Sequence, residues 1–182
     1  FSNEDLHFIK SLNLISIKPM LYICNVDEKS IVKGNILSQK VIDHAKIEKN
    51  NSVIVSASIE SQIAELKIEE KYEFLKELGL EETTLVKVIN SGYNILNLIT
   101  YFTSGPKESR AWTVTKNTLA PQGAGKIHSD FEKGFIRAET ITYNDFVELG
   151  GESACRDAGK LRQEGKDYII NDGDVMHFLF NV

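Results

Sequence analysis

Tyr22-Ile23-Cys24-Asn25-Val26-Asp27-Glu28 is the stretch that decides the fold. Read from Met20, it is a short continuous apolar run that stops at a polar, loop-like segment, and Pro19 stands just before it. A run bounded in this way predicts a strand covered on both faces. Leu37, Val41 and Ala45 then recur at helical spacing. The β-branched run Val53-Ile54-Val55 follows, closed by Ser56-Ala57-Ser58. Strand, helix and strand within about 35 residues predict a βαβ unit and hence a parallel sheet.

Upstream, Ser2-Asn3-Glu4-Asp5 before Leu6, Phe8, Ile9 and Leu12 predicts a helix with Ser2 as N-cap and acids in its first turn. Downstream, Ile68, Tyr72, Leu75 and Leu78 form one helical stripe, stopped by Gly79. Leu85, Val88, Ile89, Tyr93 and Leu96 form another. After Asn97 the texture changes. Residues 98–102 and 111–115 alternate like antiparallel strands, with Gly105-Pro106 marking the turn. Residues 121–131 look helical, 135–142 strand and 144–149 helical. Residues 168–170 and 175–180 read as strands around the turn Asn171-Asp172-Gly173-Asp174. Strands, a helix and more strands in this order predict a small α+β roll of the β-grasp type.

Composition narrows the classes. With 182 residues and 42% hydrophobic side chains, the chain can build a core without disulfides or metals. No apolar stretch approaches the roughly 20 residues of a membrane-spanning helix. Two distant cysteines, Cys24 and Cys155, make no disulfide framework and suit a reducing compartment. The net charge of −5 does not advertise nucleic-acid binding, so any such role needs a local basic patch. The chain opens on Phe1 rather than Met and is expected to be the C-terminal piece of something longer.

Ligands of open parallel sheets bind at the carboxyl ends of strands. Asn25 sits at one such end and Ser56-Ala57 at the next. The pair resembles the base-reading loops of P-loop GTPases, Asn-Lys-x-Asp and Ser-Ala-x. In that arrangement the Asn amide fixes the base edge and the Asp accepts two hydrogen bonds from guanine. Here Val26 stands for the Lys and Glu28 for the Asp. Glu is one methylene longer, and an Asn amide matches the N6/N7 edge of adenine, so the loop argues for adenine. The alternative is an ordinary polar loop after a strand.

Gly123-Ala124-Gly125-Lys126 is not a phosphate loop. Ala120 stands where the first Gly belongs, and Ile127 where the magnesium-binding hydroxyl belongs. His128 and Asp130 read as a local hydrogen-bonded pair, His177 as a core residue in an apolar strand, and His7 and His44 as helix-face residues. No metal-ligand spacing occurs. Lys126, Lys133 and Arg137 form one basic group, and Arg156, Lys160, Arg162 and Lys166 another. Set on one face they could meet RNA phosphates, but interleaved acids equally suit a solvated surface.

Four stretches carry a resemblance across nearly the whole chain. They are Lys18-Pro19-Met20 through Glu28; Glu77-Leu78-Gly79-Leu80 through Ser91-Gly92-Tyr93 to Thr103; Glu108-Ser109-Arg110-Ala111-Trp112-Thr113 with Ala120-Pro121-Gln122 through Ala138; and Gly165-Lys166-Asp167-Tyr168 through Asp172-Gly173-Asp174-Val175 to Val182. Together they resemble the C-terminal half of the YchF (Obg-like) ATPase family. The resemblance implies an α/β part of a P-loop NTPase domain (parallel βαβ) followed by a β-grasp TGS domain. The end of an inserted helical arm would occupy 1–15, the nucleotide-binding domain 16–96, and the TGS domain 97–182.

It implies a base site at Asn25, Val26, Glu28, Ser56 and Ala57, with a backbone contact at Val26, and ATP preferred over GTP. It implies RNA or ribosome contact at Lys126, His128, Lys133 and Arg137. ATP is the implied cofactor, with magnesium held outside this chain. The ribosome, mainly its large subunit, and RNA are the implied partners of a cytoplasmic monomer that binds no membrane. Lacking the phosphate loop and switch segments, the chain by itself is expected to hydrolyse nothing. A non-catalytic RNA- or ribosome-docking module is the alternative.

Overall fold

The computed structural model describes residues 5, 8, 9 and 11–181. The expected cap Ser2 lies outside them. The chain divides into two compact units, Phe1–Leu96 and Asn97–Val182.

In the first unit, β1 (Leu21–Asn25) pairs in parallel with β2 (Asn51–Val55), Leu21 opposite Asn51 and Asn25 opposite Val55. Helix α1 (Ile36–Ile47) connects them. Its start is fixed by a reciprocal cap. Asn35 Oδ1 accepts from the N–H groups of Leu37 (3.0 Å) and Ser38 (2.9 Å), while Ser38 Oγ accepts from Asn35 N–H (2.8 Å). Gly34 precedes the cap at φ +73°, where a Cβ would come within 2.6 Å of Ser38 Oγ and 2.9 Å of Ile54 Cδ1. Three helices follow: α2 (Ala57–Glu65), α3 (Ile68–Glu77) and α4 (Thr84–Ile95). Ile31, Ile59, Ile63, Leu75 and Leu80 make their shared core, with Phe74 and Leu78 against it.

Several expectations need correction here. Helix α2 carried no expected assignment; its buried row is only Ile59 and Ile63. β1 is not covered on both faces, since Ile23 is 53% exposed. Leu37 is 70% exposed; of the expected α1 stripe Ala45 is buried, and Ser38 is buried beside it. In α3 the stripe is rotated. Ile68 and Tyr72 are 82% and 72% exposed, while Phe74, Leu75 and Leu78 pack inward. On α4, Leu85 and Ile89 likewise face outward, as does Leu96 just after it, and Thr84 is the buried residue.

The second unit is a five-stranded mixed sheet in the order β4-β3-β7-β5-β6. Its strands are β3 (Leu98–Ser104), β4 (Ser109–Thr115), β5 (Phe135–Thr142), β6 (Arg162–Glu164) and β7 (Asp174–Phe180). β3 and β7 run parallel and the other pairs antiparallel. Between β4 and β5 come α5 (Ala120–Ile127) and α6 (Ser129–Lys133). Between β5 and β6 come α7 (Tyr143–Leu149) and α8 (Glu152–Asp157).

Residues 121–131 are therefore two helices rather than one. The break is His128, which is extended and whose Nδ1 accepts Asp130 N–H at 3.2 Å to cap α6. Residues 168–170 form no strand. Ile169 makes an isolated bridge to Leu119, and the sheet edge is β6, a short polar segment without alternation to betray it.

Ile99, Tyr101, Val114, Ala120, Ala124, Phe135, Ala138, Ile170, Met176 and Phe178 form the second core. The fully buried Tyr101 donates its hydroxyl to Gly123 O at 2.8 Å, tying β3 to α5. A Cβ at Gly123 would overlap Ile170 Cδ1, which explains a glycine inside this helix without any phosphate role.

Candidate functional site

Parallel pairing sets the ends of β1 and β2 side by side. Val26 N–H donates to Val55 O at 2.9 Å, continuing the ladder one residue beyond the strand. Helix α2 starts immediately after Ser56, and its first N–H, on Ala57, donates to Asn25 Oδ1 at 3.0 Å. The two strand-end loops are thus joined by the Asn25 carboxamide, which is exposed rather than plugged into the interior. The acceptor half of that amide is engaged by Ala57, and its Nδ2 donor carries no hydrogen bond among the described residues. The Nδ2 group suits N7 of either purine, and Oδ1 keeps a second lone pair beside the bond from Ala57.

Asp27 accepts Ser30 N–H at 3.0 Å and caps a short 3-10 turn, Glu28–Ser30. That turn aims Glu28 back across the second loop. Ser58 Oγ donates to Glu28 Oε1 at 2.7 Å and Gln62 Nε2 donates to the same oxygen at 2.9 Å. Ser58 and Gln62 stand one turn apart on α2, so they share a face. Sequence reading gave Ser58 no role beyond closing the second loop and passed over Gln62, because α2 itself was not recognised. Ser56 is fully buried, and its hydroxyl has no hydrogen-bond partner among the described residues. The five residues Asn25, Val26, Glu28, Ser56 and Ala57 therefore lie in one junction between β1, β2 and α2.

The basic residues separate into two kinds. Arg156 pairs with Glu139 (3.0 Å) and Glu152 (2.9 Å), Lys160 with Asp145 (3.0 Å), and Arg162 with Glu164 (3.4 Å). The Thr142 hydroxyl and, after it, Lys160 hold the Asp145 carboxyl below its usual range. Internal acids thus engage most of that second group. Lys126, Lys133 and Arg137 carry no ion pair among the described residues. His128 lies 3.4 Å from Asp130, and both are well exposed.

The four do not share one surface. Lys126, His128 and Lys133 belong to the α5–α6 layer. By strand alternation Arg137 lies opposite Ala138, on the far face of the sheet with Glu139 and its register partner His177. His177 is exposed there and not in the core. On that face Phe146, Leu161, Ile141, Val175, Glu139 and His177 line a small cleft.

Among the described residues, no three His, Cys, Asp or Glu side chains converge as metal ligands. No described helix is long and apolar enough to cross a membrane.

Comparison with known proteins places this geometry in context. A family model described as YchF-GTPase_C, protein of unknown function (DUF933), matches residues 98–181. The chain is similar to the ribosome-binding ATPase YchF of Haemophilus ducreyi, 54% identical over 179 residues, covering 98% of this chain and 49% of that protein. It is similar to the ribosome-binding ATPase YchF of Escherichia coli O157:H7, 53% identical over 181 residues, covering 100% of this chain and 50% of that protein. The solved Schizosaccharomyces pombe YchF GTPase matches with TM-score 0.84 and 37% identity, covering 98% of this chain and 48% of that one. The chain thus spans about half the length of the curated relatives it matches. The descriptions differ over the nucleotide: the curated relatives are named ATPases, the family model and the yeast structure GTPases.

Proposed function

This chain belongs to the YchF/Obg-like ATPase family, as its C-terminal half, and from that premise we propose that its first unit reads the base of ATP for a ribosome-binding ATPase. Asn25, Val26, Glu28, Ser56 and Ala57 form the base site, within a nucleotide-binding domain over 16–96 that follows the end of a helical arm over 1–15. The observation that carries the reading is the bond from Ala57 N–H to Asn25 Oδ1, which joins two strand-end loops where open parallel sheets bind ligands. Asn25 Nδ2 donates to the purine N7, and the Val26 carbonyl, its N–H being engaged, serves the exocyclic amine. Phosphate binding, magnesium and water activation belong to other parts of the full-length protein, so this chain alone hydrolyses nothing.

The second unit, 97–182, is a β-grasp domain of the TGS type. The strand order β4-β3-β7-β5-β6, with α5 packed across one face, supports that assignment. Lys126, His128 and Lys133 meet ribosomal RNA, mainly on the large subunit, and Arg137 contacts RNA from the other face. The protein acts as a cytoplasmic monomer.

Replacing Asn25 by Ala in the full-length protein carrying this chain tests the base site. ATP affinity falls by about 1–3 kcal/mol, with the melting temperature measured in parallel to separate binding from folding. Unchanged ATP affinity rejects the reading.

A second reading, a docking module without catalysis of its own, is favoured by one observation: among the described residues Lys126 and Lys133 make no ion pair while Arg156, Lys160 and Arg162 do. Salt-dependent co-sedimentation of this chain with ribosomes supports that reading, and failure to co-sediment at low salt rejects it.

A further inference from the structure

Resting on the base-reading role just proposed for Asn25 and Glu28, we propose that Ser58 and Gln62 are positioning residues that set the purine preference by occupying one oxygen of Glu28. Gln62 lies outside the loop motifs, and Ser58 fills only the open position of Ser-Ala-x. Both stand on exposed positions of α2, and both donate to the same atom, Glu28 Oε1, at 2.7 and 2.9 Å.

The number of open acceptors decides between the purines. Guanine presents two neighbouring donors, N1–H and the N2 amino group. A carboxylate satisfies both only by offering its two oxygens side by side, each with a free lone pair. Adenine presents a single exocyclic amine beside N1, which is an acceptor. A carboxylate oxygen has about two lone-pair sites, and two donors already fill those of Glu28 Oε1. What remains is Oε2, a one-oxygen acceptor, which suits one amine and cannot grip guanine's paired donors. The same two donors also shield the filled oxygen. An unshielded oxygen would face the lone pair of adenine N1 and repel it.

The other groups at the junction do not discriminate in this way. Asn25 Nδ2 offers a donor to N7, an acceptor that both purines share. Val26 N–H is engaged by Val55 O. The Val26 carbonyl favours an exocyclic amine, and the number of open oxygens on Glu28, which α2 sets, adds a second discrimination against guanine.

Competition binding of ATP against GTP, in the full-length protein carrying this chain, tests the clamp. The variants are the double Ser58→Ala/Gln62→Ala, the single Gln62→Met, and Ser58→Thr, which keeps the hydroxyl. In the double variant the ATP-to-GTP affinity ratio falls by about tenfold or more. Gln62→Met gives part of the fall, and Ser58→Thr preserves the wild-type ratio. A ratio that stays unchanged in the double variant while ATP still binds overturns the clamp and leaves the base site standing. Asn25→Ala run beside them separates the two failures: if it weakens neither nucleotide, the base site itself is wrong. Both clamp positions are exposed, so the variants fold, and thermal melting verifies it.

Discussion

Glu60 and Thr84 are locked together: Glu60 Oε1 receives both the backbone N–H and the hydroxyl of Thr84, each at 2.6 Å, and Leu85 N–H at 3.2 Å. A carboxylate from α2 thereby caps the start of α4, where several N–H groups lack helical partners and the helix dipole favours negative charge. Thr84 is buried. Glu60→Ala leaves its donors unsatisfied and is expected to cost about 1–3 kcal/mol, whereas Glu60→Gln keeps an acceptor and costs less. Trp112 is the sole tryptophan and lies in the second unit. Urea unfolding followed by circular dichroism should therefore shift while tryptophan fluorescence does not. Coincident shifts in both signals would refute a cap local to the first unit.

Glycine packing offers a graded comparison. A Cβ at Gly134 would overlap the backbone oxygen of Asn181, whose N–H is bonded to Gly134 O at 2.9 Å. At Gly123 the overlap is with the tip of Ile170, a side chain that can rotate. Both Ala substitutions overpack, at a cost of about 1–3 kcal/mol. Gly134→Ala should be the worse of the two. Denaturation followed by Trp112 fluorescence ranks them, and the reverse order would contradict the packing described.

Ribosome association should distinguish two sets of cations. Lys126→Ala and Lys133→Ala each remove a charge that no acid among the described residues pairs with, so they weaken association. Each lowers the salt slope by about 0.7 to 0.9 for every phosphate that is no longer neutralised. Lys160→Ala removes a charge already paired with Asp145 and leaves the slope unaltered. Sedimentation across a salt series measures both, and equal slopes for the two sets would count against the assignment.

Tyr168 makes stability fall at alkaline pH. Burial and the hydrogen bond it donates to Asp174 (2.7 Å) push its hydroxyl up to about 12 from an ordinary 10. A raised folded-state value means the folded chain keeps its proton longer than the unfolded one. The contribution is intact below pH 10 and disappears as pH rises through about 12. Buried Tyr101 is pushed up as well, also by burial. Ultraviolet phenolate titration should show a late-ionising tyrosine that Asp174→Asn brings down.

Strand signals in this chain were local and legible. Residues 20–24 and 53–55 announce β1 and β2, and 135–142 coincides with β5. What the sequence concealed depended on partners distant in the chain. Ile68 and Tyr72 share a helical stripe with Leu75, yet the core selects Phe74, Leu75 and Leu78, because Ile59 and Ile63 approach from that side. His177 sits among apolar neighbours, but strand alternation turns it to the exposed face, opposite Met176 and Phe178. At the base junction Asn25 and Glu28 stood out by their spacing. Ser58 and Gln62 did not, because a hydrogen bond across 30 or 34 residues leaves no periodic trace.

β7 sits between β3 and β5, and Thr100 N–H reaches Asp172 Oδ1, 72 residues later, at 2.8 Å. During synthesis the β3–β4 hairpin and the β5–β6 edge both emerge before the strand that unites them. Until it arrives they are two separate half-sheets, each with a raw border facing water. This domain therefore closes like a zip whose slider is made last. Losing only the residues from Asp174 onward would not trim the sheet but leave its halves with nothing to join them.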